Sequence, residues 1–210
     1  MNTKEQFLEA MQRRHACKIF EENKKIPSED LEYILETGRL SPSSFGMEPW
    51  KFLVVQSQDV KEKIKPLCWN QPQITTCSDL LIYLSDVESV KPQNEYVKNM
   101  FSRRELPEEA LTKYLNVYGS FLAQTMSSTE NILAWTAKQT YIAMGNMMTA
   151  ASYIGIDSCP IEGFEKENLE KLLEIDTNKW QISVIVAFGY RINPISKKLR
   201  LDSNEVIEYL

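Results

Sequence analysis

Histidine is almost missing from this chain: among 210 residues the sole imidazole is His15. HExxH and any multi-histidine metal centre are thereby excluded, and a serine triad survives only with His15 as its base. Glycine is sparse too. Gly38, Gly46, Gly119, Gly145, Gly155, Gly163 and Gly189 never fall closer than eight residues apart, so neither GxGxxG nor GxxxxGK[ST] can be written. A nucleotide, if one is bound, is held some other way. Cys17, Cys68, Cys77 and Cys159 form no CxxC pair, which fits neither a zinc ribbon nor a disulfide scaffold, and they read as free thiols. No apolar run approaches the ~18 residues of a membrane span. The amino-terminal MNTKEQFLEAMQRR has no apolar segment with a cleavage site, so a cytoplasmic location is expected. A net charge of −5 without a basic block argues against nucleic acid as a partner.

What is present is globular, with 43% hydrophobic and 25% charged residues, and residues 1–210 fit one domain with a sizeable core. An amphipathic helix is expected from Thr3 to about Arg14, with Phe7, Leu8 and Met11 as its apolar stripe, and a second from about Pro27 to Leu40 on Leu31, Ile34 and Leu35. The stretch SPSSFGMEPWKFLVV (41–55) sets a proline-broken polar loop against an apolar run, read as a strand buried on both faces. A short helix at 59–67 and a strand at 79–85 follow. Residues 86–127 read as a helical excursion, and 130–153 as a central core helix ended by Gly155 at its C′ position. After the IDSCPIEGF segment come a helix at 166–175 and a strand at 180–191. Strands interleaved with helices predict an α+β or α/β domain around a small sheet, with a polar tail at 193–210 free to reach another chain.

Three polar clusters stand at predicted element ends: RRHACK (13–18), PIEGF (160–164) and KKLR (197–200). Alone, each reads as solvated charge or an ordinary turn. In order, with SPSS (41–44), PWKF (49–52), Asn70 and Gly189-Tyr190-Arg191, they resemble the FMN-dependent nitroreductase family, in particular its oxygen-insensitive bacterial branch. RHACK and the DSC preceding PIEGF are similar to the nitroimidazole-activating reductases of Helicobacter and Campylobacter.

The resemblance implies an α+β nitroreductase-like fold, with a small mixed sheet surrounded by helices, in an intertwined homodimer carrying flavin sites at its interface and crossed by the 193–210 tail. It implies ping-pong transfer of two electrons from NAD(P)H through FMN to nitro compounds or quinones. Flavin reductase and ene reductase activities remain open on the same fold, as does a low-turnover FMN sensor or store. By the same resemblance Arg14, Lys198 and Arg200 clamp the FMN phosphate, and His15 and Ala16 lie along the flavin, His15 by packing and hydrogen bonding. Lys18 and Gln73 face the pyrimidine edge, Asn70 bonds the ring edge, and Pro160 and Ile161 lead into the backbone N–H of Glu162 or Gly163 that meets N5. Lys18, Glu162 and Gly163 thus form the catalytic set. Pro42, Ser43, Ser44 and Gly46 touch the partner subunit's flavin, while Phe45, Trp69 and Phe121 wall a pocket for planar acceptors. No metal is implied.

Departures from the family pattern fall at Ala16, where a serine is usual, at Gly46 and Glu48, which replace asparagine and glutamine, and at Gln73, which replaces a second lysine. Cys159 reads as a small buried hydrophobe beside the flavin-facing segment, with flavin tuning as the rival reading. Without the second ammonium, reduced FMN gains less electrostatic stabilisation. Gln73→Lys is therefore expected to raise the FMN midpoint potential in a spectroelectrochemical titration, and an unchanged or lower value refutes the assignment.

Overall fold

Two runs, DLLIYLSD and WQISVIVAFG, combine β-branched and aromatic residues with continuous hydrophobicity, the signature of strands covered on both faces. They become β2 (Asp79–Asp86), buried along its whole length, and β4 (Trp180–Gly189), buried over most of it. The computed structural model describes residues 3–210. In it, β2 and β4 pair antiparallel at the centre of a four-stranded sheet, flanked by β1 (Trp50–Val55) and β3 (Asp157–Ile161) in the order β1-β2-β4-β3. The named strands all pair antiparallel. The parallel contribution is an isolated bridge between Ala16 and Ser158. A one-residue slip between Tyr83 and Leu84 leaves Ser183 bulged on β4, where its hydroxyl meets Ser85 Oγ at 2.6 Å.

Helices cover both faces. α1 (Thr3–Arg13), α2 (Ser28–Arg39) and the 25-residue α7 (Thr129–Tyr153) pack together. Ile34, Met144, Met147 and Ala151 meet Leu81, Tyr83, Val184 and Val186 in one core. On the other face α3 (Gln58–Leu67), α4 (Gln73–Thr76) and α8 (Lys166–Leu172) close over Leu80, Ile82, Ile185 and Ala187. Within 86–127 stand α5 (Glu95–Ser102) and α6 (Glu108–Thr125), whose Phe101, Tyr118 and Leu122 form a third core with Met47 and Trp135. α9 (Ser203–Val206) is a single turn in the tail.

Several sequence expectations need correction. β1 is not buried on both faces: it is an edge strand, and Lys51 and Val54 are exposed. The stripe Phe7, Leu8, Met11 does not face the core. Phe7 is 50% and Leu8 62% exposed, because α1 docks on α7 through the small Ala10 instead. α8 stops at Leu172, three residues short of Ile175, where Glu174 turns into the left-handed region. β3 falls inside IDSCPIEGF, a segment whose Pro and short length hid its strand character. Gly155 at φ +90 does end α7 as expected.

β3 also carries one buried carboxylate that faces both the chain's beginning and the end of β4. Asp157 accepts from Arg191 Nη1 at 2.7 Å and Arg191 N at 3.1 Å, with Arg13 and His15 each 3.9 Å away. Removing a buried partner leaves uncompensated charge, at a cost of ~3 kcal/mol. Asp157→Ala is expected to lower the urea midpoint accordingly with an unchanged m-value.

Candidate functional site

The segment leaving α1 has no helical or strand pattern of its own, so external bonds hold it. Cys17 N donates to Ser158 O at 3.1 Å, and further on Glu21 N donates to Tyr190 O at 2.8 Å. Residues 14–18 are thereby laid along β3. Arg14 is half-buried at the start of this ledge, and Lys18 is exposed toward its end. Lys18 Nζ reaches Cys159 Sγ at 3.6 Å. His15 turns its Nδ1 toward Asp157 and the Arg13 carbonyl, at 3.9 and 3.4 Å, so that nitrogen is engaged in holding the ledge. Ala16 supplies the parallel bridge to Ser158.

The tail returns to the same place. Lys198 Nζ donates to the Arg14 carbonyl, and Arg200 lies close enough for its charge to lower the pKa of both neighbours. Burial first, then the Arg200 charge, pulls Arg14 below its ordinary value, and burial with Arg14 and Arg200 does the same to Lys198. Among the described residues none of these three cations has an ion-pair partner. Like charges held together without a carboxylate make a ready seat for a dianion.

A turn after α3 brings in the next group. Trp69 and Asn70 are both left-handed, at φ 55, a conformation that costs ordinary residues energy. The turn lays the Trp69 indole on the backbone of Gly163, where a Cβ would stand 2.5 Å from Cζ3. Gln71 Nε2 donates to Gly163 O at 2.9 Å, and Gln73 Nε2 donates to Gln71 Oε1 at 2.8 Å. Gln73 is 1% exposed, and its Oε1 is a buried acceptor without a partner. Pro160 and Ile161 end β3 and lead to Glu162, whose Oε1 accepts from Tyr141 at 2.5 Å. Asn70 is exposed beside this group.

Cys159 is fully buried. Burial pushes its thiol above the ordinary range, against the opposing pull of Lys18, Gln73 and Arg14. That is the environment of a protonated, sheltered thiol.

The 41–49 loop forms a second group. Ser44 N donates to Gln139 Oε1 on α7 at 2.8 Å, and Ser43 Oγ accepts from Glu48 N at 2.9 Å; Pro42 is exposed. Phe45, Gly46 and Glu48 all have positive φ. The excursion holds them there: Arg104 donates to Phe45 O at 2.8 Å, Arg103 pairs with Glu48 at 2.7 Å, and Tyr96 donates to Met47 O at 2.8 Å. Phe45 packs on Phe121 with ring centroids 5.3 Å apart. So Phe45 and Phe121 meet each other, while Trp69 belongs to the Gly163 group. Sequence reading missed Gln71, Tyr141, Arg103 and Arg104, which carry no motif and act by long-range contact.

The model of the Nitroreductase family matches residues 11–190, and the chain belongs to that family. Among its relatives is YfkO of Bacillus subtilis (strain 168), provisionally named an NAD(P)H nitroreductase. YfkO is 41% identical over 217 residues, covering 99% of this chain and 98% of that protein. A Staphylococcus epidermidis protein provisionally named an NAD(P)H:FMN oxidoreductase superposes with a TM-score of 0.82 at 28% identity, over 97% of this chain and 95% of its own. A nitroreductase from Exiguobacterium sibiricum, also provisionally named and solved in complex with FMN, shares the fold with a TM-score of 0.82 at 22% identity, over 97% of each chain.

The contact of Trp69 with Gly163 is directly testable. Gly163→Ala is expected to displace the indole and shift its emission, and the same substitution in a Trp69→Phe background should leave the spectrum unchanged.

Proposed function

We propose that this protein is an NAD(P)H-dependent flavoenzyme that passes two electrons through FMN to nitro compounds or quinones in alternating half-reactions. The observation that carries the reading is the unopposed cluster of Arg14, Lys198 and Arg200, set beside a buried unpaired acceptor on Gln73 and a glycine backbone pressed by a flat ring. These features suit a phosphorylated, planar, N–H-bearing ligand. The family membership and the relatives' names support the same choice.

Bound FMN supplies the redox chemistry, accepting hydride from nicotinamide and delivering two electrons to the second substrate. The chain's residues bind and orient. Two guanidinium forks and an ammonium hold the phosphate and take over the work of the missing glycine loop. Lys18, on the ledge beside Cys159, contributes a fixed positive charge that favours the electron-loaded cofactor. Gln73 in place of a second lysine contributes an acceptor and no charge. Asn70 would bond the ring edge, and the backbone N–H of Glu162 or Gly163 would serve the hydride-accepting part of the ring with little reorganisation. No side chain acts as an obligatory acid or base, because water can protonate nitro or quinone oxygens.

The site is completed in a homodimer. Phe7, Leu8, Met11, Leu40 and Tyr153 leave an apolar face on α1, α2 and α7, and Leu201, Ile207, Tyr209 and Leu210 leave the tail apolar and exposed. Burying both against a second copy explains this otherwise costly exposure. It also brings the 41–46 loop, with Phe45 and Phe121 as acceptor walls, onto the partner's flavin.

The purified protein is expected to be yellow and dimeric, to bleach with NADH, and to reoxidise stoichiometrically on adding a nitroarene. A colourless monomer indifferent to FMN overturns the reading. Bleaching without reoxidation favours a sensor, and the relative rates with menadione, free FMN, a nitroimidazole and an enoate separate the enzymatic alternatives. Arg14→Ala or Arg200→Ala is expected to weaken FMN binding at least ~10-fold and to flatten its salt dependence.

A further inference from the structure

Resting on the flavoenzyme reading, we propose that Gln71 is a positioning residue that fixes two parts of the flavin site at once: the Glu162–Phe164 turn and the amide orientation of Gln73. Gly163 O accepts at 2.9 Å from Gln71, so the Gln71 nitrogen must face Gly163 and its oxygen must face away. That oxygen accepts at 2.8 Å from Gln73, so the Gln73 nitrogen must face Gln71. The consequence is that Gln73 Oε1 points away from Gln71 and stays unpaired, although Gln73 is 1% exposed. A flipped Gln73 would set two amide oxygens against each other. The Gly163 carbonyl thus dictates, through Gln71, that the site presents a buried acceptor at residue 73. Such an acceptor takes an N–H, as on the imide of an isoalloxazine, and repels a second carbonyl.

The same residue pins the turn. Gln71 follows two left-handed residues, and that strained geometry is sustained from the turn's side by three ties: Gln71 to Gly163 O, Trp69 on the Gly163 backbone, and Glu165 N to Leu67 O at 2.8 Å. Gln71 is the one of these whose side chain reaches both the turn and the ring-edge group. Strained residues held by converging contacts are a common mark of a preorganised site.

Gln71→Leu removes both bonds, and Gln71→Glu keeps the acceptor for Gln73 while taking the donor from Gly163. Two readouts apply: the FMN dissociation constant, by flavin fluorescence quenching on titration into apoprotein, and amide exchange at Phe164 and Glu165 in protein without FMN. Gln71→Leu is expected to weaken FMN ~10-fold or more and to speed exchange across the turn; Gln71→Glu should speed exchange equally. In the Gln71→Leu background, Gln73→Leu should cost less than it does alone, because the orientation it destroys is already lost. Wild-type affinity in Gln71→Leu, unchanged exchange, or strict additivity of the two leucine substitutions overturns the inference. Melting curves of each variant separate loss of fold from loss of positioning. Failure of the wild-type protein to bind FMN condemns the flavoenzyme reading instead, and unaltered exchange in the variants condemns the role of Gln71 by itself.

Discussion

The buried carboxylate of Asp157, with the Cys17–Ser158 backbone bond beside it, is the anchor on which the path of the segment after α1 leans. The residues that follow α1 have little local reason to adopt one path, yet the proposed ligand contacts of Arg14 and Lys18 need positions fixed to within about 0.5 Å. Asp157 supplies the constraint by bonding Arg191 at the end of β4 while facing Arg13 and His15 at the end of α1. A carboxylate this buried is tolerable because its lone pairs are taken by the Arg191 backbone N–H and guanidinium, with the Arg13 charge nearby. The Nδ1 edge of His15 thus faces the carboxylate and the Arg13 carbonyl.

A second constraint acts on the 41–49 loop. Gly46 and Glu48 are departures from the family pattern, and in sequence they look like lost contacts. The fold gives each a reason in this chain. Gly46 sits at φ +68, where a side chain is strained, and the carbonyl just before it is taken by Arg104. Glu48, itself at φ 46, pairs with Arg103. The pair is too exposed to add much stability, but with Tyr96 on the Met47 carbonyl it fixes the loop's direction. Where the sequence resemblance suggested lost contacts, the structure shows the loop engaged by two arginines of the excursion.

This marks the boundary of what the sequence made legible. The central strands, the long helix with its Gly155 stop, and the cationic and backbone clusters could be read because each rests on local pattern or ordered motif. β1 was legible as a strand but not as an edge, since burial of a strand's second face is decided by its neighbours. Phe7, Leu8 and Met11 have flawless helical spacing and still face outward, because periodicity shows that a face is apolar and not what covers it. Gln71, Tyr141 and Arg103 were invisible for a related reason: each acts on a residue between 21 and 92 positions away.

The cation cluster joins these threads. Arg14, Lys198 and Arg200 repel one another, a cost that a dianion set among them would offset. The tail from 193 to 202 has no regular structure to hold it there, and a side-chain bond from Lys198 to the Arg14 carbonyl ties it to the body. On the proposed reading, in which a dianion binds at this cluster and the tail's apolar end is buried against a second copy, ligand binding and tail docking are coupled: whatever favours one stabilises the other by the same free energy. A chain with no glycine loop has in this way brought cations from two distant segments together, and on the proposed reading that cluster is its phosphate site.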